Sequence, residues 1–276
     1  ASGFIGSHLV EYFRQRRVSV VLIGRDLLLE KNSSVLYVAL SGCNVVINLA
    51  GASISHRWTE EYKKEIYDSR IETTRILVNM INSLQCKPSL FISTSAVGFY
   101  PSHGSYTEAT AQMDEGFLAK VCHDWEEQAR RVCSEVRCLI TRFGVVLSNE
   151  GGAFPEMIRT TKFKFATRFG RGEHFLSWIS LHDLMRAYDF VIAHSELAGV
   201  INFCAPHPIS GADFAIEIEN HFHTKVTIPL PEGIIRKIFG EQSSLMLGGQ
   251  RVYPERLLRA GFCFEQPTLK DFLKNY

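Results

Sequence analysis

The sequence lacks several features that would assign it quickly. It has no charge excess, with Lys+Arg 30 against Asp+Glu 29 in 276 residues. That balance excludes the basic bias expected of a nucleic-acid-binding protein, and no block of like charge forms a tail. No apolar run reaches membrane-spanning length. The seven cysteines (Cys43, Cys86, Cys122, Cys133, Cys138, Cys204, Cys263) are odd in number, scattered and never spaced C-x-x-C. This argues against a disulfide framework or a zinc site. It favours small core residues in a reducing, cytoplasmic compartment. There is no signal-peptide pattern, internal repeat or low-complexity segment. The chain also lacks an initiator Met and opens at Ala1-Ser2-Gly3-Phe4-Ile5-Gly6. These residues read as the middle of a strand-to-helix loop, so a first strand is expected to be missing from this chain. The stretch Asp26 to Ser41 is short for a helix plus a strand, and spacing across it carries no argument.

What is present is ordinary globular material, 46% hydrophobic and 21% charged, enough for one large domain or two unequal ones. Ile5, Leu9, Tyr12 and Phe13 recur at helical spacing, predicting a helix from Gly6 to Gln15. Val18 to Ile23 and Cys43 to Ala50 are short apolar runs that suit strands covered on both faces. Thr59 is a plausible N-cap for a long helix to Leu84. A strand over Ser89–Thr94, a helix over Phe117–Val132 and a strand over Val136–Phe143 follow. Later come a helix over His182–Ala193 and a strand over Val200–Cys204. Such alternation predicts an α/β, Rossmann-type doubly wound parallel sheet. Residues 1–149 and 177–208 would form that domain. Residues 150–176 and 209–276 would form a smaller, mixed, substrate-side lobe.

In such sheets ligands bind beyond the carboxyl ends of the strands. Gly3 and Gly6 are the visible part of a G-x-x-G opening a helix. There the backbone can approach a pyrophosphate and the helix N-terminus favours the anion. Arg25 follows the run Val18 to Ile23, expected as the domain's second strand, where folds selective for NAD usually place Asp or Glu. A guanidinium at that point pairs with a 2′-phosphate instead, which favours NADP(H) over NAD(H). The alternative is a solvated surface Arg.

Three runs carry a resemblance: Gly3-Phe4-Ile5-Gly6, Asn48-Leu49-Ala50-Gly51 and Ser93-Thr94-Ser95-Ala96-Val97-Gly98-Phe99-Tyr100. Together they resemble the extended short-chain dehydrogenase/reductases. Arg57-Trp58, Ser69-Arg70, Asp124-Trp125-Glu126, Arg142-Phe143-Gly144-Val145-Val146-Leu147, Ser177-Trp178-Ile179 with Asp183, and Gly249-Gln250-Arg251-Val252 with Pro254 narrow it. They resemble the atypical nucleotide-sugar-epimerase-like subgroup of cell-division-inhibitor homologues, and Gly261-Phe262 fits its carboxyl-terminal domain of unknown function. The resemblance implies that Gly3, Phe4, Ile5 and Gly6 cradle the pyrophosphate of NADP(H). Leu49, Ala50 and Gly51 would line the adenosine-to-ribose path, and Ser93 and Ser95 follow a strand ending near the nicotinamide.

One departure matters. The wider superfamily moves protons with a Tyr and a Lys four residues apart, and no Tyr here has Lys four positions later. Lys120 would pair with Gly116. Ser95 matches the superfamily hydroxyl that bonds substrate, with a strand-end hydroxyl serving local backbone as the alternative. Tyr100 could offer a phenol, or simply pack. His123, Glu126 and Glu127 read as solvated helix residues. Arg57 and Trp58 could reach a ligand or act as a packing staple, and Trp178 with Asp183 reads as architecture. The basic stretch Lys162 to Arg171 could receive an anionic substrate or be a mobile surface loop. His221 and His223 cannot share a helical face, and no metal is expected. The functional expectation is an oxidoreductase or epimerase-like protein acting on a small or nucleotide-linked sugar substrate. A sensor of NADP(H) or of a metabolite is the alternative. Neither nucleic acid nor membrane is an expected partner, and a homodimer is left open.

Overall fold

The computed structural model describes residues 3–276. Ala1 and Ser2, which the sequence reading puts in the strand-to-helix loop, lie outside the described residues. Helix α1 (Phe4–Gln15), helix α2 (Ser33–Leu40), strand β1 (Val45–Asn48) and helix α3 (Glu60–Ser83) come first. Strands β2 (Leu90–Ala96) and β3 (Ser105–Tyr106), helix α4 (Phe117–Ala129), and strands β4 (Arg137–Phe143) and β5 (Val145–Leu147) follow. Then come α5 (Phe154–Met157), β6 (Phe165–Phe169), β7 (Phe175–Leu176), β8 (Trp178–Ser180), α6 (Leu181–Ala193) and β9 (Gly199–Phe203). The remainder holds β10 (Ile209–Ser210), α7 (Gly211–Phe222), β11 (Val226–Leu230), α8 (Glu232–Phe239), α9 (Ser244–Leu247), β12 (Arg251–Val252), α10 (Glu255–Arg259) and α11 (Leu269–Leu273).

The central sheet is parallel, in the order β1-β2-β4-β9. Its strands alternate sides. Leu90 and Ile92 face α1 and α6, where they meet Leu9, Phe13, Leu184 and Tyr188. Phe91 points the other way, to Leu36 of α2, Leu77 and Ile81 of α3 and Ala129 of α4. This two-sided burial is why the strands read as continuous apolar runs. Thr59 caps α3 as its position predicts, its Oγ1 accepting the Tyr62 N–H at 3.2 Å. No helix of the described residues is long and apolar enough to cross a membrane.

Two expectations need correction. Val18 to Ile23 is not a strand, because no described strand lies beside it to complete a ladder. Val20 and Ile23 still pack into the two core clusters, while Val18, Val21 and Leu22 stay exposed. Apolar character brought the segment to the sheet, but a strand also needs a hydrogen-bonding neighbour. The basic stretch Lys162–Arg171 is not a surface loop. It contains β6, paired in parallel with β11 and tied by Ala166 into a third core with Phe154, Trp178, Phe214 and Phe272.

Asp183 is architectural. Ser180 caps α6, and the buried Asp183 carboxylate accepts the Glu265 and Gln266 N–H groups at 3.0 and 2.8 Å and an Arg186 N–H at 2.7 Å. The start of α6 thereby holds the segment leading into α11.

Candidate functional site

The carboxyl edge of the sheet receives three elements. Helix α1 follows Gly3 with no side-chain cap among the described residues, so its first N–H groups are left for another acceptor. Among the described residues, a Cβ built on Gly3 would meet nothing within 4 Å. Arg25 is exposed and makes no ion pair among the described residues. Asp26 does not compete for the same space, because its carboxylate folds back over Gly24. These features fit a dinucleotide: an uncapped helix end for a diphosphate and a free guanidinium for a further anionic group.

The loop after β1 is shaped from below. Asn48 Oδ1 accepts the Ala50 N–H at 3.1 Å, and Asn48 Nδ2 donates to Thr74 Oγ1 at 2.8 Å. Trp125 Nε1 donates to the same hydroxyl at 2.8 Å. Leu49 and Ala50 are half-buried and Gly51 is exposed.

Parallel register aligns Ser95, Arg142 and Asn202 side by side on three neighbouring strands. All three are buried, at 1%, 2% and 0% exposure. Under this row lies Glu126 of α4, 1% exposed. Ser95 Oγ donates to Glu126 Oε1 at 2.8 Å. Arg142 donates to both Glu126 oxygens at 2.7 and 2.8 Å, and Arg130 adds a third N–H at 2.9 Å. Burial works against the Arg142 charge, but the Glu126 carboxylate more than offsets it and holds the guanidinium above its ordinary range. The guanidinium lies 3.6 Å from the Phe99 ring centroid, and its Nη1 has no acceptor among the described residues. Tyr100, also 1% exposed, donates to Asn202 Oδ1 at 2.8 Å and stacks on Tyr106. Burial pushes its phenol up, against a lowering influence from Arg142.

Both expected reaction hydroxyls, Ser95 and Tyr100, therefore serve internal acceptors. Ser93 sits deeper in β2 opposite Asn48, with its Oγ unpartnered among the described residues. The expectation that Glu126 is solvated is overturned, because it is the carboxylate that closes the network. The signal was an Arg inside the apolar strand Arg137–Phe143, which burial obliges to find an acid. Lys120 is turned to solvent and paired with Asp124 at 2.7 Å. The inward side of α4 carries Val121, Cys122, Trp125 and Glu126 instead.

Two cavities lie away from this row. One, of about 340 Å³, is lined by His103, Arg171, His174, Arg236 and Arg251, with Glu173 and Glu232. Arg171, with Phe169, brings the end of the basic stretch to it. The other, of about 570 Å³, lies between α1, α6 and the carboxyl-terminal residues. Neither is lined by Ser95 or Tyr100. No group of His, Cys, Asp and Glu among the described residues is arranged to hold a metal ion.

A doubly wound parallel sheet, a glycine turn opening α1 and a serine-bearing strand end followed by Tyr100 define an atypical extended short-chain dehydrogenase/reductase, one without the Tyr/Lys pair. Comparison with known proteins narrows this. Residues 1–204 match the NAD dependent epimerase/dehydratase family, and residues 230–276 match a domain of unknown function (DUF1731). The chain belongs to the NAD dependent epimerase/dehydratase family. It is 33% identical to the epimerase family protein YfhF of Bacillus subtilis, over 98% of this chain and 93% of that protein. It is 34% identical to an epimerase family protein of Staphylococcus saprophyticus, over 99% and 96% of the two chains. A crystal structure of the human epimerase family protein SDR39U1 (isoform 2) with NADPH superposes with a TM-score of 0.91 at 30% identity, over 99% of this chain and 96% of that one.

Proposed function

We propose that this chain binds NADP(H), with Gly3, Phe4, Ile5 and Gly6 around the diphosphate, Leu49, Ala50 and Gly51 along the ribose path, and Arg25 at the 2′-phosphate. The observations that carry this reading are an α1 terminus with no side-chain cap and an exposed Arg25 with no ion pair, both among the described residues. Support comes from the 30%-identical relative solved with NADPH. In this reading residues 1–149 and 177–208 hold the cofactor, and residues 150–176 and 209–276 face the substrate. Arg171, Arg236 and Arg251 around the 340 Å³ cavity suit a nucleotide-linked, anionic substrate. The bound dinucleotide supplies hydride transfer, and the protein supplies orientation and a polar group at the reacting carbon. Ser95 and Tyr100 are the hydroxyls for that role, each acting when the network releases it. The cytoplasm suits a protein with this cofactor.

A second reading is binding without robust turnover, as in a sensor of NADP(H). One observation favours it: both hydroxyls are buried and donate to protein acceptors. Two measurements test these readings. Calorimetry is expected to give tighter binding of NADPH than of NADH, and Arg25→Ala to narrow that preference by about 1–3 kcal/mol. Equal affinities in the unaltered protein would remove Arg25 from its role. Ser95→Ala is expected to lower NADPH turnover in a screen of nucleotide-linked carbonyl compounds, whereas unchanged turnover reduces Ser95 to scaffold.

A further inference from the structure

Ser69 and Arg70 on α3 grip one residue of the loop after β1. Ser69 Oγ accepts the Ala52 N–H at 2.9 Å, and Arg70 Nη2 donates to the Ala52 carbonyl at 3.1 Å. Arg70 Nη1 donates to Ile66 O at 3.0 Å. These bonds use two of the five N–H groups of a guanidinium. No carboxylate pairs with Arg70 among the described residues, although it is half-buried and burial pushes its pKa down. A partly desolvated cation without a counter-charge is costly to hold, so its presence asks for an explanation. Its position supplies one. The guanidinium carbon lies 2.9 Å from where a Cβ on Gly51 would sit, so the charge rests directly on the exposed glycine of the ligand loop. On its other side it approaches the Trp125 ring at 5.3 Å and acts electrostatically on the buried Cys122 of α4. Cys122 in turn contacts Ser95 and Ala96 at the end of β2. The guanidinium thus lies between the ends of β1 and β2, on the face of the sheet covered by α4, and α4 offers no inward lysine there.

The geometry points to Arg70 as a second ligand-binding cation of the cleft, one that donates its free N–H groups to an oxygen of the dinucleotide lying over Gly51. It reaches from α3 a place for which α4 provides no positive charge. Only glycine at position 51 leaves the room, and the Ser69 contact fixes the loop against which the ligand would rest. This inference rests on the proposed binding of NADP(H) at this cleft, and the test separates the two.

Calorimetric titration of the full chain with NADPH, with 2′-phospho-ADP-ribose and with nicotinamide mononucleotide would be compared for the unaltered protein, Arg70→Met, Arg70→Lys and Ser69→Ala. Arg70→Met is expected to weaken NADPH binding by about 10- to 100-fold, the range of a charge-assisted hydrogen bond. Arg70→Lys should restore part of the loss. Ser69→Ala, which removes the other half of the Ala52 grip and keeps the charge, should lose less than about threefold, the size of a weak neutral hydrogen bond. A loss shared with nicotinamide mononucleotide locates the contact on the nicotinamide side, and one shared with 2′-phospho-ADP-ribose locates it on the adenosine side; either supports the inference. Unchanged NADPH affinity in a folded Arg70→Met protein overturns it, as does an equal loss in Ser69→Ala, which would reduce Arg70 to a loop clamp. If the unaltered protein binds none of the three ligands, the underlying proposal fails instead.

Discussion

The two ends of the proposed dinucleotide site are built on opposite principles. At the cofactor end, donors are left over: the first N–H groups of α1, the exposed Arg25, and the remaining N–H groups of Arg70. At the end where chemistry is expected, Ser95, Tyr100, Glu126, Arg142 and Asn202 satisfy one another almost completely. A site with spare donors gains when a ligand arrives. One whose hydroxyls are already bonded must break protein contacts before it can act. On the proposed reading, dinucleotide binding would need little reorganisation here, and turnover would need more.

The sharpest way to break this contrast is at Glu126. Glu126→Ala would leave Arg142 buried at 2% exposure without its carboxylate. Loss of about 3–5 kcal/mol is expected in urea unfolding, the scale for stranding a buried charge. Replacing both partners, with Glu126→Leu and Arg142→Met, should recover most of that loss, because no charge is then left without a partner. A loss below about 1 kcal/mol, the level of an exposed pair, would mean that the row is hydrated and not closed.

Tyr100→Phe is a milder probe of the same end. It retains the ring stacked on Tyr106 and removes the donor to Asn202 Oδ1. A loss of about 1–3 kcal/mol is expected for a buried acceptor left unpaired, with NADPH affinity unchanged. If affinity fell tenfold instead, the two ends would be coupled and the contrast between them would not hold.

How much of this could be read from the sequence follows the same division. The apolar runs of β1, β2, β4 and β9, the cap at Thr59 and the glycine turn at α1 are local patterns, and the fold follows them closely. Val18–Ile23 failed because a strand is a relation between segments, and its apolar pattern says nothing about whether a neighbour is present. Glu126 and Arg142 are sixteen positions apart and meet because α4 returns over the end of β4. A helix pattern sees Glu126 only as a charge among charges. Its burial is set by register, which aligns Ser95 with Arg142 and Arg142 with Asn202. Arg70 was visible only as one of a pair of residues shared with a family. Its relation to Gly51 depends on how α3 packs against the loop.

The smallest expected effect concerns the outer side of α4, where Lys120 is the residue most easily mistaken for the absent catalytic lysine. Lys120 and Asp124 form an exposed pair, and His123 and Tyr67 add bonds to the same carboxylate. Burial would raise the Asp124 carboxyl, but the hydrogen bonds from Lys120, His123 and Tyr67 prevail and lower it to about 2. Because the folded value is depressed, the stabilisation is fully present above the ordinary carboxyl range near 3.8 and is lost as pH falls toward about 2. Scanning calorimetry from about pH 5 to about pH 2 should therefore show the Tm advantage of the unaltered protein over Asp124→Asn shrinking in that window. Lys120→Met should reproduce part of the same loss while leaving NADPH affinity untouched, since its ammonium is directed to solvent. A drop in NADPH affinity in Lys120→Met would return the missing cation to α4 and remove the asymmetry between the two ends of the cleft.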